Sequence, residues 1–303
     1  MQRREPHHGR VSLPGFEDAR CAVGEASYFV ARGGAGSPLL LLHGFPETHV
    51  CWRRVAPRLA SAYSVVAPDL RGYGASRAPA GGPRGEGYSK REMARELVDL
   101  MAALGHERFA VVGHDRGARV AYRMALDHPE RVTRVAVVNV VPTVDQFERM
   151  GAGPSLGFWP WFLLAQPAPF PERLIGADPD GLLGHVFATW PSTPEAIAPE
   201  DRKAYREALT PPTIAAMCAD YRASFHLDRR HDAEDRAAGG RIAAPVLLVV
   251  GEDEAQLADA PEVWRSWVED LTARRVPGGH FTPEEAPEEL GELLAAFLRR
   301  DGA

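Results

Sequence analysis

Short apolar runs alternate with longer amphipathic stretches along this chain, the pattern of strands joined by crossover helices over a mostly parallel sheet. Positions 39–42, 63–67, 109–112, 135–141, 246–250 and 274–276 are the expected strands. Ahead of them, 20–23 and 26–30 flank Gly24-Glu25 and predict an antiparallel hairpin at the sheet edge. Ser89 followed by Glu92 forms a capping box. Met93, Leu97, Leu100, Met101 and Leu104 then recur at helical spacing until Gly105 offers a stop. Leu290, Leu293, Leu294, Phe297 and Leu298 mark a final amphipathic helix after Pro287, expected to lie against the sheet.

The alternation breaks between Pro142 and about Gly240, where Trp, Phe, Leu and Pro cluster at 158–170 and a helical pattern returns at 204–225. This predicts a core from residues 1–141 and 241–303, with 142–240 as a helical cap inserted over the carboxyl ends of the strands. Segments 81–87 and 237–240 read equally well as flexible connectors or as ordinary surface turns. There is no internal repeat.

Composition narrows the class. The 303 residues are 45% hydrophobic and 25% charged, which is ordinary globular chemistry and excludes disordered, collagen-like and coiled-coil chains. Thirty-five Lys and Arg against 41 Asp and Glu give a net charge of −6, so no nucleic-acid footprint is suggested. Cys21, Cys51 and Cys218 lie too far apart in sequence for a disulfide framework or a zinc spacing and fit a reducing compartment. The start of the chain is polar and basic, and no apolar run reaches membrane length; the expectation is a soluble, cytoplasmic protein without membrane association.

Three stretches carry candidate chemistry. Strand 109–112 runs into Gly113-His114-Asp115-Arg116-Gly117 and then into a helical stretch. Small residues flanking a central side chain between strand and helix make a nucleophile elbow, here with Asp115 rather than serine at its apex. His43-Gly44-Phe45-Pro46-Glu47-Thr48 follows strand 39–42, so that the N–H groups of Phe45 and Arg116 can converge on an oxyanion, with a cis bond expected at Pro46. Gly278-Gly279-His280-Phe281 follows the last strand, where the architecture needs its general base, His280. Each stretch alone would read as a turn or a surface loop; three at matching topological ends do not.

Taken together, HGFPETHVCW from His43, DLRGYGAS from Asp69, GHDRGARVAYRMALDHP from Gly113, LAQPAP from Leu164, DYRA from Asp220 and GGHFTPEEAP from Gly278 resemble the fluoroacetate and haloacetate dehalogenases of the α/β-hydrolase superfamily, with epoxide hydrolases and haloalkane dehalogenases as next relatives. The likeness spans almost the whole chain, helical insertion included. It implies an α/β-hydrolase fold and an Asp115 nucleophile that displaces halide from an sp3 carbon. The resulting ester is hydrolysed by water that His280 deprotonates, with no metal or organic cofactor. It assigns Arg116 and Arg119 to a substrate carboxylate, favouring a 2-halo acid over a neutral haloalkane. A lone ion pair of these arginines with a nearby carboxylate is the structural alternative, because cations in the first turn of a helix need an anion to offset the dipole. The resemblance leaves a small-molecule substrate as the partner and a homodimer as an option.

The chain departs from that family in two places. Where defluorinating members carry the catalytic acid after the strand before the cap, this chain has Asn139, and an amide cannot stabilise an imidazolium as a carboxylate does. The loop Gly251-Glu252-Asp253-Glu254 after the next strand offers Glu254, with Asp253 close behind, as a migrated acid. The family's halide donors, a His-Trp pair and a cap tyrosine, correspond to Pro160, Trp161 and His226, which points to chloride or bromide rather than fluoride. Two rivals remain. One is an epoxide hydrolase with the same Asp and His and with Tyr205 and Tyr221 as acids; the other is a catalytically silent binding protein on the same scaffold.

Overall fold

The computed structural model describes residues 3–4, 11–151 and 156–299. Its strands are β1 (Arg3–Arg4), β2 (Glu17–Val23), β3 (Ala26–Gly33), β4 (Ser37–Leu42), β5 (Tyr63–Pro68), β6 (Phe109–His114), β7 (Val132–Val138), β8 (Val246–Gly251) and β9 (Leu271–Val276). They form one sheet in the order β1-β2-β3-β5-β4-β6-β7-β8-β9. From β5 through β9 every neighbouring pair is parallel, while β1, β2 and β3 run antiparallel to their neighbours. The expected hairpin is present, with Val23 opposite Ala26. It is not the outermost element, because Arg3 and Arg4 pair with Arg20 and Ala19 in a two-residue strand that no apolar pattern announces.

Central parallel strands are covered on both faces and so read as continuous apolar runs. Leu39 to Leu42, Val111, Val112 and Val135 to Val138 are all buried. The helix Lys90–Ala103 starts as its capping box requires, with Ser89 Oγ accepting from the Glu92 N–H at 3.3 Å, and the helix Pro287–Leu298 closes the chain. β7 stops at Val138, short of the expected 135–141, because Asn139 takes a left-handed backbone conformation (φ 58°) that turns the chain out of the sheet.

Between β7 and β8 the described residues form helices and turns with no strand. Segment 81–87 is a set of hydrogen-bonded turns, Gly85 N–H to Gly82 O and Tyr88 N–H to Gly85 O among them. Among the described residues no helix is long and apolar enough to cross a membrane. Cys21, Cys51 and Cys218 are buried free thiols.

Candidate active site

The β6 strand ends in a turn that holds Asp115 at φ 44° and ψ −112°. For a residue with a Cβ this costs about 1–3 kcal/mol and persists only where the surroundings fix it. They do: a Cβ on Gly117 would lie 2.4 Å from Leu42 O, so the helix Arg116–Asp127 can pack against β4 only with glycine there. Gly44 plays the same part opposite, since its Cβ would sit 2.7 Å from Asp115 Cβ. The Phe45 N–H donates to Asp115 Oδ2 at 3.0 Å, and the Phe45-Pro46 bond is cis as expected. Arg116 is the first helical residue, a position whose N–H has no intrahelical acceptor. Burial works to raise the Asp115 carboxyl, but the charges of His280, Arg116 and His114 and the Phe45 N–H together hold it below the usual carboxylate range.

His280 lies on the loop after β9. Its Nε2 is buried without a hydrogen-bond partner among the described residues, and its Nδ1 lies 3.8 Å from Glu254 Oε2. That separation is an ion pair rather than a hydrogen bond. Burial pulls the imidazole down, yet Glu254, then Asp115 and Glu47, more than offset it and lift it to about 9. Glu254 is buried, whereas its neighbour Asp253 is exposed, so of the two expected acids the geometry brings Glu254 to the histidine.

Asn139 has a different task from the family's acid. Its Nδ2 faces the carbonyls of Gly279 (3.0 Å) and His280 (2.8 Å) and Thr282 Oγ1 (2.8 Å), while its Oδ1 accepts from the Gly251 N–H at 2.9 Å. The amide thereby ties the His280 loop to the Glu254 loop. A carboxylate there would confront two carbonyl oxygens, so Asn139→Asp is expected to cost about 2–4 kcal/mol of stability. Denaturant unfolding checks this; a variant as stable as the wild type would mean the amide does not hold the loop.

A second buried chain supports the histidine from behind. His114 Nδ1 is 2.9 Å from Glu47 Oε2 and its Nε2 is 2.7 Å from His280 O, so each ring nitrogen faces an oxygen. Burial works to raise Glu47, but His114, then the Gly44 N–H and Glu284, together hold it below the usual carboxylate range. Burial and the nearby Glu47 push the Glu284 carboxyl well up.

The substrate-binding expectations divide. A cavity of about 530 Å³ between the strand ends and the helical segment is lined by Asp115, His280, Arg119, Trp161, Tyr221 and Gln146, among others. Arg119 is in it and, among the described residues, has no carboxylate within ion-pair distance; its guanidinium stands 4.6 Å from the Trp161 ring centre. Arg116 is not in it, a correction to the two-arginine clamp. Its Nε and Nη2 donate to the Asp220 carboxylate at 3.0 and 2.6 Å, and Nη2 also to Ser224 Oγ at 2.6 Å. Asp220 further takes the Lys90 ammonium and the Tyr73 hydroxyl (2.8 Å). The anion that offsets the helix dipole is therefore supplied by the protein itself.

His226 is a second correction. It is exposed, edge-to-face with Phe225 at 4.9 Å, and outside the cavity wall. Tyr221 lines the cavity instead: five residues is not a whole number of helical turns, so both cannot face inward. Tyr205 points its hydroxyl to Glu284 Oε1 at 2.7 Å and leaves the cavity to Tyr221. The sequence reading missed Gln146; it sits just inside the first turn of the helix Thr143–Glu148, where no motif marks it. Among the described residues no cluster of three or more His, Cys, Asp or Glu side chains could hold a metal.

Comparison with known proteins agrees with this architecture. The family model for the α/β hydrolase fold matches residues 37–287. The chain is 40% identical over 288 residues to a fluoroacetate dehalogenase from Burkholderia sp, covering 94% of each chain. It is 31% identical over 271 residues to a soluble epoxide hydrolase from Corynebacterium sp. (strain C12), covering 88% of this chain and 91% of that one. It is also similar to the crystal structure of ALR0039 from Nostoc sp PCC 7120, with a TM-score of 0.91 and 42% identity over 94% of this chain and 99% of that one. A sheet with Asp115 on its elbow, His280 after its last strand and relatives of this kind leave one assignment: the chain belongs to the α/β-hydrolase family, among the fluoroacetate dehalogenases and their epoxide hydrolase relatives.

Proposed function

We propose that this hydrolase is a dehalogenase of small 2-halo carboxylic acids, working through an ester on Asp115. The observation that carries the reading is the meeting, in one cavity, of a buried carboxylate facing an N–H donor, a histidine nitrogen without a partner, and an arginine without a counter-charge. In the first step an Asp115 oxygen attacks C2, the carbon–halogen bond breaks, and its electron pair leaves as halide toward Trp161 and Tyr221. In the second, His280 Nε2 takes a proton from water, whose oxygen bonds to the Asp115 side-chain carbonyl carbon. The oxyanion so formed faces the Phe45 and Arg116 N–H groups; as it collapses, the bond between the Asp115 acyl carbon and the substrate oxygen breaks, and His280 returns its proton to that oxygen, releasing the 2-hydroxy acid and the free Asp115 carboxyl. Glu254 supports the imidazolium formed in this step. The cavity is large for a two-carbon acid and leaves room for a substituent on C2.

Epoxide hydrolysis is the second reading, favoured by the epoxide hydrolase relatives and by Tyr221 at the cavity wall. With Tyr205 engaged by Glu284 it would have one tyrosine acid, and an epoxide gives Arg119 nothing to bind. Assayed side by side, bromoacetate and chloroacetate are expected to release halide faster than fluoroacetate, and styrene oxide to give little diol. Diol formation without halide release would reverse the assignment.

A further inference from the structure

Besides His280 Nε2, two donors on residues of the cavity wall are buried without a hydrogen-bond partner among the described residues, Arg119 Nε and Gln146 Nε2. An unmet buried N–H costs about 1–3 kcal/mol, so each such group calls for an acceptor. Both residues line the cavity that contains Asp115, at 2% and 3% exposure, so neither can turn to solvent. Arg119 is tied to the start of the helix that carries Gln146. Arg119 Nη1 donates to Val141 O at 2.9 Å and to Thr143 Oγ1 at 3.3 Å, and Gln146 stands three residues further along the same helix, on the face Thr143 occupies. That helix is pinned in turn, with the Thr143 and Val144 N–H groups donating to Asp232 Oδ2 at 2.8 and 3.3 Å. Arg116, the other cation near the nucleophile, is ion-paired with Asp220 and is not part of the cavity wall.

We propose that Gln146 and Arg119 together hold the substrate carboxylate, with the Gln146 amide taking the place expected for a second arginine. This deepens the 2-halo acid reading and rests on it. One carboxylate oxygen accepts from Arg119 Nε and the other from Gln146 Nε2, so a single positive charge meets a single negative one. Specificity follows from the chemistry of the pair. A carboxylate offers acceptors to both donors, whereas the amide of chloroacetamide would set an NH2 against one of them and pair with no cation.

The test uses otherwise intact enzyme with two substitutions, Gln146→Leu and Gln146→Glu, and two probes: chloroacetate in turnover and glycolate in calorimetry. Gln146→Leu is expected to raise the chloroacetate KM and the glycolate Kd by about tenfold, with the effect falling on KM rather than kcat. Gln146→Glu, nearly the same shape, should weaken both further by like-charge repulsion, and neither change should raise the KM for chloroacetamide. Unaltered KM and Kd in Gln146→Leu would overturn the proposal. So would an equal loss for chloroacetamide, since that would make Gln146 a matter of cavity shape alone. If the wild type releases no halide from chloroacetate, the dehalogenase reading fails by itself, and the glycolate titrations still decide whether the pair binds carboxylate.

Discussion

Asp115→Asn is expected to lower halide release by at least about ten-thousandfold, because the amide keeps the shape of the carboxylate and loses its nucleophilicity. The fold should survive the change. The Asp115 N–H bond to Val138 O and the strained turn are set by backbone and by Gly44 and Gly117, not by the charge of the side chain. Loss of activity with a wild-type melting curve and retained glycolate binding would place the effect on chemistry. A variant that keeps more than about a hundredth of the rate would mean that another group attacks the substrate.

His280→Gln should separate the two half-reactions. Alkylation of Asp115 needs no base, so one equivalent of halide is released in a burst. The ester then accumulates, with steady-state turnover down by about a thousandfold or more. Mass spectrometry of chloroacetate-treated variant should find the Asp115 peptide heavier by a carboxymethyl group. The pH dependence follows from the charges around the ring. In the free enzyme the imidazole, lifted to about 9, is protonated at neutral pH beside two carboxylates. Its contribution to stability is therefore present below its unfolded value of about 6.5 and is lost as pH rises through about 9. Esterification removes the Asp115 charge, one of the causes of that elevation, so the histidine becomes a better base once the ester exists. Ester hydrolysis should accordingly rise with pH through an apparent pKa below about 9, and Glu254→Gln should shift it lower still. The steady-state rate that follows the halide burst, measured across pH, tests the sign.

The elements that position this chemistry were legible because local rules fix them. The Gly24-Glu25 hairpin, the Ser89 cap and the G-x-D-x-G turn between strand and helix each depend on a few neighbouring residues. What resisted reading depends on partners far away in sequence. Arg116 is claimed by Asp220, 104 residues later, and nothing in the elbow motif announces that carboxylate. Glu254 and Asp253 are adjacent acids on one loop, and only burial against His280 tells them apart. Tyr221 rather than His226 faces the cavity because of helical phase, which motif matching ignores. Asn139 reads as a missing acid from the family pattern, yet its amide is what two facing carbonyls require.

The central claim, a covalent ester on Asp115 opened at its acyl carbon, is tested most directly by a single turnover of chloroacetate with excess enzyme in 18O-labelled water, followed by mass spectrometry of the Asp115 peptide and of the glycolate. The account predicts label in the Asp115 carboxylate and unlabelled glycolate in that first turnover. Label in the glycolate with none in Asp115 would mean that water attacks C2 directly, and would contradict it.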